Sequence, residues 1–226
     1  MTQEHIFFIP TIFFLGFFLG AIVSQRNKSP NFTTESKLNH GEKENFSTSI
    51  FTSFYTLGFS FFIFFAIFIS THLLPFFGGS KALSIVSKGK PLFDQRPVFT
   101  NLEFYERLNS FGEVGREMYL RFTYTVDILF PLAFLSFLIL LILFISKKSL
   151  ITKRVSLRLL LFPLIWFFLD MLENSILFFL IYQFPIEHDF LSAKLGFVTL
   201  GKFCFLLLSL LLPGIAIIYD KKIKLK

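Results

Sequence analysis

The stretch WFFLDMLENSILFFL, Trp166 to Leu180, carries Asp170, Glu173 and Asn174 inside an otherwise apolar segment long enough to cross a bilayer. Ionisable groups at that depth are costly, since insertion scales put an aspartate near a helix centre at about 2.5–3.5 kcal/mol. Two acids and an amide within five residues therefore need partners, protons or a bound ion. We expect this segment to hold the functional site, because intramembrane ionisable residues generally mark such sites.

The composition indicates a polytopic membrane protein. Of the 226 residues, 54% are hydrophobic and 37 are Phe, and the mean hydropathy is +0.66, far from an ordinary soluble composition. Most of the Phe side chains are interpreted as lipid-facing. The predicted fold class is all-α, a polytopic membrane helical bundle of about five transmembrane helices, with spans near residues 6–24, 50–75, 118–146, 157–183 and 191–219.

The polar stretches divide the chain into three segments. Residues 1–24 lack a basic n-region and a cleavage site, which predicts a retained N-terminal signal-anchor helix. Residues 25–49 are polar and poor in periodicity, which is typical of a flexible cytoplasmic linker. Residues 50–226 are predicted to form a four-helix membrane core with an outer loop at 76–117. The single cysteine, Cys204, excludes a disulfide framework and a thiol metal site.

The net charge of +7 follows membrane topology and does not indicate a nucleic-acid partner. Basic residues concentrate in alternate loops, and the positive-inside rule makes those loops cytoplasmic. The protein is therefore predicted to lie in the cytoplasmic (inner) membrane, with its N-terminus outside and its C-terminus in the cytoplasm. The outer loop is the exception, because its six basic residues are offset by five acids.

Within the outer loop, the sequence predicts one short helix before the third span. Thr100 is a helix-start signal, and the apolar Phe104 and Leu108 follow at helical spacing. Gly112 and Gly115 then provide a break at which the chain turns into the membrane.

The third span carries a second set of polar residues on one helix face. Arg116, Tyr119, Thr123 and Asp127 are separated by three, four and four residues. Pro131 lies four residues beyond the acid, so it removes a helical hydrogen bond and frees a carbonyl close to Asp127. Such a defect is tolerated where helices pack together or line a cavity.

Helix geometry places charged groups of three spans at a common depth. At 1.5 Å per residue, Asp127, Glu173 and Lys202 each lie about 16 Å below the outer end of their span. Three acids against one lysine leave a formal excess of two negative charges, which an arginine, protonation or a bound cation can offset. We call the predicted set the polar cluster: Asp127, Asp170, Glu173, Asn174 and Lys202, supported by Arg116, Tyr119, Arg121 and Thr199.

Three runs of the sequence resemble a family of uncharacterised bacterial multi-pass integral membrane proteins. They are FTNLEFYERLNSFGEVGREMYLRFTYTVDILFP, FLDMLENSILFFLIYQFP and TLGKF. The likeness covers about residues 91–215 as a G-x-x-G-R-x-x-Y turn, an Asp before Phe-Pro, a D-x-x-E-N helix and a T-x-x-K helix. It implies a membrane bundle and supplies no activity. The family positions are Gly112, Gly115, Arg116, Tyr119, Asp127, Pro131, Asp170, Glu173, Asn174, Pro185, Thr199 and Lys202.

Three classes of function fit these residues. The first is proton- or cation-coupled transport of a small solute, which we expect to require a homodimer because the sequence has no inverted repeat. The second is a membrane enzyme acting on a lipid or isoprenoid, with a carboxyl as general acid or base and Arg116 or Arg121 beside a headgroup phosphate. The third is a non-catalytic assembly or helper protein of a membrane complex, bound through the outer loop.

The expected partners follow from these classes. They are the lipid bilayer and either a bound cation or a lipid headgroup, and no nucleic acid is expected. The sequence contains no nucleophile motif and no H-E-x-x-H zinc motif. It therefore assigns no catalytic residue, no cofactor and no metal-ligand set.

Overall fold

Helices make up nearly all of the chain that the computed structural model describes, which comprises residues 54–74, 79–87, 89–148 and 153–224. Within these ranges the fold is all-α and no strand is present. The predicted fold class is therefore confirmed. The predicted anchor at 1–24 and linker at 25–49 lie outside the described residues.

Seven α-helices occur in the described ranges, and four helical spans are long and apolar enough to cross a membrane. The helices are α1 Phe54–Phe68, α2 Ser80–Val86, α3 Asn101–Ser110, α4 Gly112–Tyr124, α5 Val126–Lys148, α6 Lys153–Tyr182 and α7 Asp189–Lys224. In the numbering of the five predicted spans, the second consists of α1 and a following π-helical turn at Ile69–Leu73. The third combines α4 and α5, and the last two correspond to α6 and α7.

Helix α1 shows how the Phe-rich composition is used. It has no buried residue, and rings such as Phe59 and Phe62 are exposed on the surface of the bundle. The side of α1 that faces α5 is also aromatic, with Phe64 stacked on Phe134 at 4.6 Å between ring centroids. A helix that is apolar on all sides suits a lipid solvent, because exposed rings incur no penalty there.

The third span differs from the single predicted helix at 118–146. Helix α4 begins earlier, at Gly112, which has a positive φ of 69°, and the helix is interrupted at Thr125, whose φ and ψ are −111° and −80°. The hydroxyls of Thr123 and Thr125 donate to the carbonyls of Tyr119 and Arg121, at 2.8 and 2.7 Å. Hydroxyl bonds of this kind bend helices, which accounts for the break ahead of Asp127.

The chain between the second and third spans folds into a cap, residues 79–111, in which residue 88 is not described. The predicted helix within it is confirmed as α3, and the Thr100 hydroxyl caps it by accepting from the Glu103 amide at 3.3 Å. The cap packs against the membrane helices through a hydrophobic core. That core is shared with α4, α6 and α7, and its fully buried members include Leu83, Leu92, Phe93, Phe104, Leu108, Tyr119, Leu177, Leu180 and Leu195.

One buried arginine organises the inside of the cap. Arg107 donates to the Arg96 carbonyl and to Glu103 Oε1, both at 2.8 Å. Its guanidinium carbon lies 5.3 Å from the centre of the Phe93 ring. Arg107 thus fixes the Phe93 segment against α3, because a guanidinium can use several donors in a rigid plane at once.

Glycine allows the cap to approach the last membrane helix closely. A Cβ at Gly196 would overlap the carbonyl oxygen of Val98 and would lie 2.8 Å from the Phe99 ring. Gly201, one and a half turns further along α7, has only the Leu169 methyl at an ordinary 3.5 Å. The two glycines therefore have different roles, and only Gly196 sets the distance between the cap and α7.

We predict that Gly196→Ala lowers the free energy of unfolding by about 1–3 kcal/mol, because the added methyl pushes on cap backbone that has no flexible end to move. The measurement is the thermal unfolding midpoint of purified protein in detergent. Gly201→Ala is the matched control on the same helix, and its higher helix propensity makes it neutral or slightly stabilising. Equal midpoints for the two variants would contradict the close approach.

Candidate functional site

The polar cluster is built around Lys202, which joins α6 and α7. Its ammonium lies 3.1 Å from Asp170 Oδ1 and also pairs with Glu173 Oε2. The Thr199 hydroxyl donates to the other oxygen of Glu173. All four side chains are buried, so a D-x-x-E face on α6 meets a T-x-x-K face on α7, and both oxygens of Glu173 have partners.

Asn174 ties the third span to this pair through the main chain of Asp127. The carbonyl of Asp127 is the acceptor that residue 131 would use in a regular helix, and Pro131 has no N–H to donate. Asn174 Nδ2 donates to that carbonyl at 3.1 Å. The side chain of α6 thus replaces the hydrogen bond that proline removes from α5, as buried backbone requires in a membrane.

A fourth acid, Asp94 of the cap, interacts electrostatically with the polar cluster, although in the sequence it is only one of the five acids of the outer loop. The amide of the preceding Phe93 donates to the Tyr119 hydroxyl at 3.1 Å, which brings this part of the cap against α4. The charge of Lys202 acts on Asp94 as well as on the acids of the membrane helices. Two acids contact Lys202 and the charges of two more act on it, so the formal excess is three negative charges instead of two.

Burial raises the pKa of the Asp94 carboxyl above its ordinary value of 3.8. The positive charge of Lys202, the amides of Asp94 and Gln95 and the Tyr119 hydroxyl all act in the opposite direction. Desolvation is the larger effect, so folding shifts this carboxyl toward its neutral form relative to a solvated aspartate. The sequence gives little indication that Asp94 is buried. It follows the apolar pair Leu92 and Phe93, and neither residue distinguishes a buried loop acid from a solvated one.

The two supporting arginines do not reach the polar cluster. The Arg116 guanidinium lies over the Phe184 ring, 4.2 Å from its centre. Arg121 is exposed and pairs with Glu117 one turn away at 2.7 Å. Both arginines lie on α4, before the break at Thr125, and among the described residues neither forms an ion pair with an acid of the polar cluster. Among the ion pairs of the described residues, Lys202 is the only basic residue that pairs with acids of the polar cluster.

Three buried acceptor atoms at the polar cluster have no hydrogen-bond partner in the part of the chain that the structure describes. They are Asp94 Oδ1, Asp170 Oδ2 and Asn174 Oδ1. The orientation of the Asn174 amide is set by chemistry, since only its NH₂ group can bond the Asp127 carbonyl. Buried oxygens of this kind require donors, and a proton on a carboxyl or an incoming donor group supplies them.

Known proteins provide no assignment for the polar cluster, since family models, curated proteins and solved structures give no match to the chain. In the described ranges, no three His, Cys, Asp or Glu side chains are grouped as a metal site requires. The chemical groups of the polar cluster are carboxylates, one ammonium, one amide and one hydroxyl. Such a set binds and releases protons, and it orients groups that donate hydrogen bonds.

We predict that Asn174→Leu lowers the free energy of unfolding by about 1–3 kcal/mol, because it leaves the Asp127 carbonyl unpaired. Pro131→Ala restores a backbone donor at that carbonyl, so the same change in this background has a smaller effect. A double-mutant cycle of thermal unfolding midpoints measures the difference. Ser175→Ala, on the exposed side of α6, serves as the control within about 0.5 kcal/mol of wild type. Additive effects would exclude the proposed replacement of the bond.

The raised pKa of Asp94 predicts that the stability of the protein depends on pH. Its pKa is raised in the folded state, so its stabilising contribution is complete below the ordinary value of 3.8 and is lost as the pH rises through the folded-state pKa. Asp94→Asn keeps the position neutral, and we expect it to raise the unfolding midpoint at about pH 8 and to match wild type near pH 4. Thermal unfolding of both proteins across this range tests the sign, and a variant less stable at high pH would contradict it.

Proposed function

We propose that this integral membrane protein carries out proton-coupled transport of a small solute, with the carboxyls of the polar cluster as the proton-binding groups. The observation that carries the proposal is the set of buried, unpartnered oxygens around a lysine that is outnumbered by acids. If the polar cluster served only to hold the helices together, we would expect every buried oxygen to have a partner, as both oxygens of Glu173 do. Here Asp170 has one oxygen on Lys202 and one with no partner.

The net charge of the four acids and Lys202 is the reason to expect that the polar cluster binds protons. Four ionised acids and one ammonium would leave three uncompensated negative charges in a medium that solvates ions poorly. Protons on some of the carboxyls remove that cost and provide the missing donors. Because Lys202 contacts two acids on α6, gaining or losing a proton at Asp170 changes the hold on Lys202 and hence the packing of α6 against α7.

The topology proposed for this function keeps the N-terminus outside and the C-terminus in the cytoplasm of the inner membrane. Basic residues at the α5–α6 junction and at the C-terminal end of α7 support that orientation. The cap then lies on the outer face, and the polar cluster lies in the outer half of the membrane below it. A homodimer provides the second half of the transport path, because the sequence has no inverted repeat.

We predict that the purified protein in proteoliposomes takes up protons when a membrane potential is imposed, and that Asp170→Asn lowers the rate by about tenfold or more, the scale of a lost proton carrier. An enclosed pH-sensitive dye measures the uptake, with and without a panel of small solutes. Glu113→Gln, which changes an exposed acid at the start of α4, is the matched control and retains the wild-type rate.

Two outcomes would oppose the transport proposal. Equal proton uptake in wild type and Asp170→Asn would show that the polar cluster carries no proton. The second outcome is that neither protein takes up protons with any solute, while Asp170→Asn is much less stable than wild type. That result would favour a purely structural role for the polar cluster, in a non-catalytic assembly or helper protein.

A further inference from the structure

We propose that the seam between α4 and α6 binds one anionic phospholipid, with the lipid phosphate on the guanidinium of Arg116. The seam is the surface along which α4 meets the C-terminal end of α6. Two contacts define it: Arg116 lies over the ring of Phe184, which follows α6, and Tyr124 packs on Phe178 of α6. The inference goes beyond the proposed transport function and does not depend on it.

Arg116 is held against an aromatic ring while its hydrogen-bond donors stay unused. Its guanidinium carbon lies 4.2 Å from the centre of the Phe184 ring, a contact that involves the ring face and none of the five N–H donors. In the described chain, this guanidinium donates no hydrogen bond and pairs with no acid. Arg121 differs, because it pairs with Glu117. Arg116 therefore has a positive charge and a planar set of donors for a ligand, which suits phosphate oxygens.

Helix length places Arg116 in a headgroup layer of the membrane. The third span, from Gly112 to Lys147, has 36 residues, which is at most about 54 Å of helix. A bilayer with its headgroups is about 40–45 Å thick, so the ends of this span reach the headgroup layers. Arg116 follows Gly112 by one turn and lies about 6 Å from that end. This is the level at which lipid phosphates occur.

Further along the seam, the same two helices expose aromatic rings to lipid. Tyr124 is 42% exposed and packs on Phe178 at 4.5 Å between ring centroids. Tyr182, one turn after Phe178, is 67% exposed and stacks on the same ring at 5.7 Å. Tyr124 lies about 12 Å along α4 from Arg116, toward the membrane interior. A phosphate contact with an apolar surface beside it on the membrane side matches a phospholipid, since a water-soluble phosphate compound has no acyl chain to cover these rings.

The charge of Arg116 favours a headgroup with a net negative charge. A phosphatidylcholine headgroup carries a quaternary ammonium that offsets its phosphate, whereas phosphatidylglycerol carries the phosphate charge alone. The nearest acid before Arg116 on α4 is Glu113, which is exposed and forms no ion pair with Arg116 among the described residues. The positive charge of Arg116 is therefore available to an anionic lipid.

Native mass spectrometry of the purified protein in detergent tests this inference, because it resolves each bound lipid by its mass. We expect dioleoylphosphatidylglycerol to bind saturably, with one molecule per chain held most tightly. Dioleoylphosphatidylcholine should bind more weakly. Glycerol phosphate, which has the phosphate but no acyl chains, should not displace the bound lipid.

Arg116→Gln and Arg121→Gln are the matched variants, because each removes one positive charge from α4. We expect Arg116→Gln to weaken phosphatidylglycerol binding about tenfold or more, the effect of losing a charge-assisted contact, and Arg121→Gln to bind like wild type. Arg116→Lys keeps the charge without the planar fork, so its affinity should lie between those of wild type and Arg116→Gln. Thermal unfolding without lipid shows which variants are folded, and Arg116→Lys replaces Arg116→Gln in the comparison if the latter is not.

Four results would overturn the inference. They are the absence of saturable phosphatidylglycerol binding, equal weakening in the two Gln variants, wild-type affinity in Arg116→Lys, and equal binding of phosphatidylcholine. Displacement by glycerol phosphate at the concentration of the lipid would also overturn it, because the ligand would then be a water-soluble phosphate compound. None of these results depends on proton uptake by the polar cluster, so the proposed function is tested separately.

Discussion

The contact of Lys202 with Asp170 and Glu173 is the constraint on which the arrangement of the bundle depends. Lipid offers these groups no solvation, so they must meet one another, and their positions fix the register of α6 against α7. Thr199 completes the set by bonding the remaining oxygen of Glu173. Removing one member of such a buried set costs about 3–5 kcal/mol, because the others are left uncompensated.

The need to pair buried polar groups inside a membrane also explains the contact between the third span and α6. Pro131 would leave a backbone carbonyl without a donor in the middle of a membrane helix, and the amide of Asn174 supplies that donor. One face of α6 therefore contacts two neighbouring helices, α7 through its acids and α5 through its amide. These two sets of contacts account for three polar residues within five positions of an apolar helix.

Helix geometry made much of this site predictable from the sequence. The rise per residue is fixed, so the depths of Asp127, Glu173 and Lys202 were calculable, and the structure brings Lys202 into contact with Glu173. The freed carbonyl followed from the chemistry of proline, although its donor, Asn174, did not. Asp94 was missed because a residue in an irregular segment has no periodicity from which its direction can be calculated.

Cap and membrane helices form one structural unit, and this has a consequence for access to the polar cluster. The amide of Phe93 is bonded to Tyr119, and the Phe93 ring packs on Phe104 inside the cap. Gly196 holds the following segment against α7. Asp94 lies between these attachments and has little freedom to move alone. Any motion of Asp94 must therefore move the cap core with it, so access to the polar cluster from that side is coupled to the packing of the whole cap.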